Sequence, residues 1–199
     1  HAADVLEIAE RLSFEEVCAR SSIVIATTGE VSKSVCNPMR MPYFSPNEIR
    51  ELIADIDGRI SILFGRENWG LNNEEIQKSD IVCTIPSAKE YPILNLSHAV
   101  GIVCYELAHL PRGEYLLATR EEMEYLYAHI DSYLTLIHHP DFKRVPTMLL
   151  IRRVLGRAML TSREATTLHG LLRRSEWNIN PAAFERRKEI PPDDPPKEW

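Results

Sequence analysis

The stretch from residue 60 to residue 107 constrains the fold more than any other. Two short apolar runs, Ile60–Phe64 and Ile81–Ile85, each end in a loop marked by glycine or proline, and each loop feeds a helical pattern. Ile60–Phe64 is broken only by Ser61, so it lacks the inside–outside alternation of a half-exposed strand. That pattern suits a strand buried on both faces within a parallel sheet. A third run, Ser21–Ala26, empties into Thr27-Thr28-Gly29-Glu30. Strand followed by small-residue loop thus occurs three times in the first half, with helices in between. The alternation predicts an α/β fold on a parallel sheet, with a site at the carboxyl edge where such loops gather.

Local signals place the helices. Ser45 and Glu48 bracket Pro46 and spell a capping box, starting a helix that runs to about Asp55 and is closed by Asp57-Gly58. Asn72 or Asn73 caps another, with Glu74 and Glu75 facing the positive end of its dipole. Leu96–Leu107 reads as a helix apolar nearly all round, suited either to the core or to a contact between two copies. Residues 1–20 read as a helix broken near Ser13, with Val5, Ile8 and Leu12 on one face, and Cys36–Pro46 as an irregular connection. After Gly113 no further strand is expected. Thr119–Ile137, Pro146–Met159 and Ser162–Arg173 predict a small helical module, and the prolines after Asn180 predict an extended tail with Trp177 and Trp199 as its anchors. The expected divisions are 1–112, 113–176 and 177–199.

Charge narrows the classes. The net charge of −6 argues against a nucleic-acid partner only if it is spread evenly, and it is not. Residues 143–174 hold eight cations against the single acid Glu164, and local patches rather than totals attract phosphates. A solvated helical face is the plain alternative for that patch. No run approaches the roughly 18 apolar residues of a membrane span. The start HAADVLEIAERL lacks the basic flank and apolar centre of a secretory signal. Cys18, Cys36, Cys83 and Cys104 show no CxxC spacing, so no metal centre is expected; Cys83 and Cys104 read as buried free thiols, in keeping with a reducing cytoplasm.

The residues themselves carry a resemblance. FGRE followed by GL, a strand ending in IP, and then EYP-x-LNLSHAV with YEL after it resemble the second and third motifs of the SpoU branch of the SPOUT RNA methyltransferases. Within that branch the match is nearest to TrmJ-type tRNA 2′-O-methyltransferases of archaea. The resemblance implies a SPOUT domain whose C-terminal part is threaded into a trefoil knot, a rare departure from unknotted topology. It implies a homodimer that uses S-adenosylmethionine to methylate the ribose of a cytidine or uridine in tRNA, at anticodon-loop nucleotide 32.

By the same resemblance, the cofactor lies among three loops. These contribute Thr27, Thr28 and Gly29; Gly65, Glu67 and Leu71; and Ile85 with Ile93, Leu94 and Leu96. The side chains of Ile85, Ile93, Leu94 and Leu96 offer the apolar slot an adenine needs, and Gly65 lets backbone approach the ligand. Glu67 and Asn95 match the family's polar positions. Glu67 is expected to hold the loop at the methyl-transfer centre, and Asn95 to bond across to it or to substrate, or to cap the following helix. His98 is read as a surface or packing residue. Lys143, Arg144, Arg152, Arg153 and Arg157 are the expected RNA contacts. Two departures stand out: Ile93 replaces a serine common in the branch, and nothing before Ser21 supplies the family's first motif with its Arg. A chain beginning inside the catalytic domain is therefore expected. Ribosomal RNA as substrate, or a non-catalytic RNA- or cofactor-binding role, remains as an alternative. A generic nucleotide-binding module is weaker, because no GxGxxG or Walker pattern is present.

Overall fold

The computed structural model describes residues 3–29, 39–87, 93–108, 110–111 and 113–180. In chain order, helices α1 (Ala3–Ile8) and α2 (Phe14–Ala19) precede strand β1 (Ile23–Thr27). Then come β2 (Tyr43–Phe44), α3 (Pro46–Ile53), β3 (Ile56–Asp57) and β4 (Ile60–Leu63). α4 (Asn73–Lys78), β5 (Ile81–Cys83) and α5 (Leu96–Glu106) follow. β6 (Tyr115–Leu116) leads into α6 (Arg120–Leu136), α7 (Asp141–Ala158) and α8 (Ser162–Ile179). The predicted tail after Asn180 lies outside the described residues, as does Cys36. Among the described residues no helix is long and apolar enough to cross a membrane.

β1 is central because it is apolar on both faces. It pairs in parallel with β4 through Ile23↔Ile60 and Ile25↔Ile62, and with β5 through Ile25↔Ile81 and Thr27↔Cys83. β2 adds a parallel edge beyond β5, giving the order β2-β5-β1-β4. Ile23, Ile25, Ile81 and Cys83 meet Ile49 and Ile53 of α3 on one face. Ala26 and Val82 meet Ile76 of α4 on the other. The α/β parallel-sheet expectation therefore holds, and each helix-bearing face takes the alternate residues of the same strands.

Helix starts follow the local chemistry closely. Ser13/Glu16, Ser45/Glu48, Asn72/Glu75, Thr119/Glu122 and Thr161/Glu164 all form reciprocal capping boxes. Other expectations need correction. α1 stops at Ile8, which is exposed, so the Val5–Ile8–Leu12 stripe does not continue as one helix face. The connection before Pro46 contains β2, and Ile56–Asp57 pairs with Tyr115–Leu116, a strand not anticipated after Gly113. α7 begins at Asp141 with Pro146 inside it, and α8 continues to Ile179. Cys104 is exposed rather than buried, because α5 buries only Val103 among its residues. Cys83 is buried as expected, which pushes its thiol up to about 12.

A buried charge cluster ties α6 and α7 to the sheet. Asp80 exchanges backbone bonds with β1: its N–H donates to Val24 O at 2.8 Å, and its carboxylate accepts the Val24 N–H at 2.9 Å. The same carboxylate accepts Arg120 Nη1 from the first turn of α6 at 2.8 Å. Burial pushes the Asp80 carboxyl up from its ordinary value, opposed by Arg120, the Val24 amide and Arg152. Arg153 of α7, only 2% exposed, donates to the carbonyls of Ser79, Ile76 and Met39. α7 approaches closely here because Gly156 has no side chain; a Cβ would stand 2.8 Å from Asp80 Cβ.

Two stability outcomes follow from this junction. Asp80→Ala strips Arg120 of its buried carboxylate, leaving it Glu124 and the Lys78 carbonyl, and frees the Val24 N–H; it lowers the unfolding free energy by roughly 3–5 kcal/mol, and a loss below about 1 kcal/mol in urea titration contradicts the assignment. Gly156→Ala overpacks the α7–β5 contact and costs about 1–3 kcal/mol, measured the same way against Gly170→Ala, where a Cβ meets nothing within 4 Å.

Candidate functional site

The sheet order places three loops side by side. Because the chain crosses from β4 to β5 on the opposite side of β1, the turns after these strands flank the turn after β1 at the carboxyl edge. Thr27 Oγ1 donates to Leu63 O at 2.7 Å, and the Thr28 N–H donates to Cys83 O at 2.9 Å, so both neighbours are fastened to the β1 exit. The loops enclose a cavity of about 240 Å³. Thr27, Thr28 and Gly29 line it from the β1 turn, and Gly65, Glu67 and Leu71 from the β4 turn. Ile85 lines it after β5, and Ile93, Leu94 and Leu96 line it at the start of α5. All the residues expected at the cofactor therefore border one space.

The β4 turn is held in a single shape. Arg66 N–H donates to Gly70 O at 3.1 Å and Gly70 N–H returns to Arg66 O at 2.8 Å, closing Arg66–Gly70 into a tight turn. Gly70 supplies the left-handed φ of +64° this requires. The turn folds back so far that a Cβ on Gly65 would lie 2.1 Å from the Gly70 carbonyl carbon. Gly65 thus serves the loop's approach to itself, where the sequence suggested an approach to ligand. Outside the turn, the Arg66 guanidinium grips Glu75 at 3.0 and 3.2 Å, and Glu75 also accepts the Asn72 N–H at 2.7 Å in the α4 capping box. The Arg66 bond draws the Glu75 carboxyl below its usual value.

Glu67 is exposed on this turn. Asn95 is the N-cap of α5, its Oδ1 accepting the Ser97 N–H at 3.0 Å and the Ser97 hydroxyl at 2.7 Å. Among the described residues no hydrogen bond joins Asn95 to Glu67, so the capping role is the one realised. With its carbonyl oxygen taken, the amide N–H2 is what Asn95 can offer a substrate. His98 is exposed, as expected. Arg40, Arg66 and Trp69 also line the cavity and were not anticipated. Arg66 lay within the motif itself, between Gly65 and Glu67, whereas nothing local marks Arg40.

The basic patch divides once folded. Arg153 is buried on backbone carbonyls and cannot reach RNA. Arg152 lies over the Tyr127 ring and pairs with Glu124 through two 2.8 Å bonds. Arg144 is engaged by Asp131 at 2.7 and 2.8 Å. Arg152 and Arg153 are therefore structural residues, a correction that follows from acids and carbonyls far away in sequence. Arg157 is half-buried, and Lys143, Arg163, Arg173 and Arg174 are exposed.

Comparison with known proteins agrees with this geometry. Residues 1–105 match the SpoU rRNA Methylase family. The chain is 34% identical over 176 residues to the tRNA (cytidine-2'-O-)-methyltransferase TrmJ of Methanocaldococcus jannaschii, covering 84% of this chain and 76% of that one. It is 37% identical over 132 residues to the protein of the same name from Sulfolobus acidocaldarius, covering 65% and 54%. The crystal structure of TrmJ from Z. mobilis ZM4 has the same fold with a TM-score of 0.66 at 30% identity, over 88% of this chain and 77% of that chain. Motif, cavity and relatives converge: the chain belongs to the SpoU methylase family, on its TrmJ-like side.

Proposed function

We propose that this chain is an S-adenosylmethionine-dependent tRNA ribose 2′-O-methyltransferase, acting on a cytidine or uridine at anticodon-loop nucleotide 32. One observation carries the reading: residues taken from three separate loops on motif grounds border a single cavity at the sheet edge. The residues present suit the donor. Phe64, Leu71, Ile85, Leu94 and Leu96 make an apolar wall for a flat base, while Thr27, Thr28 and Glu67 give hydroxyls and a carboxylate for its polar parts. When bound, this cofactor supplies an electrophilic methyl group.

The rest is work for the protein. A ribose hydroxyl holds its proton far above neutral pH, so the site must favour the charge that develops on oxygen as the proton leaves. Arg40 brings positive charge to the cavity wall, and Asn95, the N-cap between the lining residues Leu94 and Leu96, offers its amide to orient the hydroxyl. Glu67, on the fastened turn, holds the polar part of the donor. Exposed cations of the helical region (Lys143, Arg163, Arg173 and Arg174) supply phosphate contacts. Residues 1–112 then form the methyltransferase domain, and the helical residues from 113 form the RNA-gripping module, whose last helix runs past the expected boundary at 176 to Ile179. A homodimer fits α5, whose Ile102 and Tyr105 are exposed. On family grounds the reading extends to a trefoil-knotted, cytoplasmic enzyme.

The reading is tested by calorimetry and by mass mapping of methyl groups on tRNA. S-adenosylhomocysteine binds the wild-type chain and raises its melting temperature. Gly65→Ala, which forces the turn open, weakens that binding at least tenfold; wild-type affinity in this variant removes the turn from the site. Asn95→Ala lowers methyl transfer about 10²-fold, in line with loss of one positioned donor, and undiminished turnover takes Asn95 out of the chemistry.

A further inference from the structure

The β4 turn carries a side chain that borders the cavity yet stays almost wholly in solvent. Trp69 is 87% exposed, although an indole is among the side chains most costly to leave in water. The backbone that carries it is nevertheless fixed. The Trp69 backbone N–H donates to Arg66 O at 3.3 Å inside the turn that Arg66 and Gly70 close, and Arg66 is anchored on Glu75. The neighbouring Asn68 is exposed too, and both residues line the cavity. The fastened tip therefore leaves an aromatic face and a side-chain amide, adjacent in the chain, exposed to solvent beside the cavity.

We infer that Trp69 and Asn68 form a platform for one unpaired nucleobase of the RNA substrate, the indole stacking on the base and the amide bonding to its edge. This rests on the reading of the cavity as the methyl-donor site. Recognition of single-stranded RNA uses this combination, because every base has a π face and an edge rich in donors and acceptors. The surroundings favour a base over another protein surface. Trp69 is flanked in the chain by exposed Asn68 and Gly70, with Glu67 just before. Of the other exposed apolar residues only Ile93 borders the same cavity among the described residues, too little for a protein contact, while Ile102 and Tyr105 lie on α5 and Phe142, Val145 and Leu150 on α7. A stacked base keeps its edges and sugar in polar contact, whereas the centre of a protein interface is apolar and poor in charge. A turn with one fixed conformation also loses little entropy on binding.

The test uses the full chain and a tRNA anticodon stem-loop. Trp69→Ala raises the KM for RNA about tenfold, within the range of one lost base stack, and the loss falls on KM rather than on kcat. Trp69→Phe restores most of it, and Asn68→Ala gives a smaller increase that differs between bases at the target. In a Trp177→Phe, Trp199→Phe background, the remaining Trp69 fluorescence is quenched by the stem-loop. Wild-type KM in Trp69→Ala with no quenching overturns the inference. So does weakened S-adenosylhomocysteine binding with RNA affinity intact, which makes Trp69 a cofactor wall, or an altered sedimentation coefficient, which makes it a contact between copies. If the wild-type chain transfers no methyl group, the proposed activity fails instead, and quenching and stem-loop affinity still decide the role of Trp69.

Discussion

Asp80 is a carboxylate nearly cut off from water at the start of β5, and its ligation organises the molecule. It exchanges two bonds with Val24 of β1 and receives Arg120 from α6. A buried charge is tolerable only where donors surround it, so the arrangement fixes β1, β5 and α6 together. Arg153 completes the junction from α7, satisfying the carbonyls at the end of α4 and its exit. Desolvation pushes its guanidinium down to about 10, which leaves it charged at neutral pH. The helical region is consequently set against the sheet by polar bonds with defined directions as well as by apolar contact.

The same order reaches the site. Once β1 and β5 are registered, Thr27 and Thr28 bind the carbonyls at the ends of β4 and β5, and the loops after all three strands must share one edge. The β4 turn is then closed by its own backbone and bolted to α4 through Arg66 and Glu75. Catalytic geometry is sensitive to displacements well below the size of an atom, and a wall built this way needs little rearrangement to receive a ligand. The cost is borne in sequence freedom, since neither Gly65 nor Gly70 accepts a side chain without strain.

Much of this was legible beforehand, and the parts that were not share a cause. The three strand–loop units and the helix starts at Ser45, Asn72 and Thr119 depend on residues within a few positions of one another. β2, β3 and β6, two residues each, depend on partners elsewhere: Ile56 pairs with Tyr115, and Tyr43 with Val82. The start of α7 has no side-chain cap at Pro140, so nothing near it announces a beginning. Trp69 could be seen only as one more aromatic in a loop until the closed turn showed that it has nowhere to hide.

By itself the sequence determined the α/β class, the order of loop-terminated strands and the residues that gather at their carboxyl edge. Apolar runs, capping boxes and motif spacing act over short distances along the chain. Only the tertiary structure decided the fate of the charges. Arg152 and Arg153 read as an RNA-facing pair, yet Arg153 finds its acceptors 74 and 77 residues away, and Arg152 faces Glu124 across two helices. A cation's role is set by what surrounds it after folding, and that neighbourhood is drawn from the whole chain.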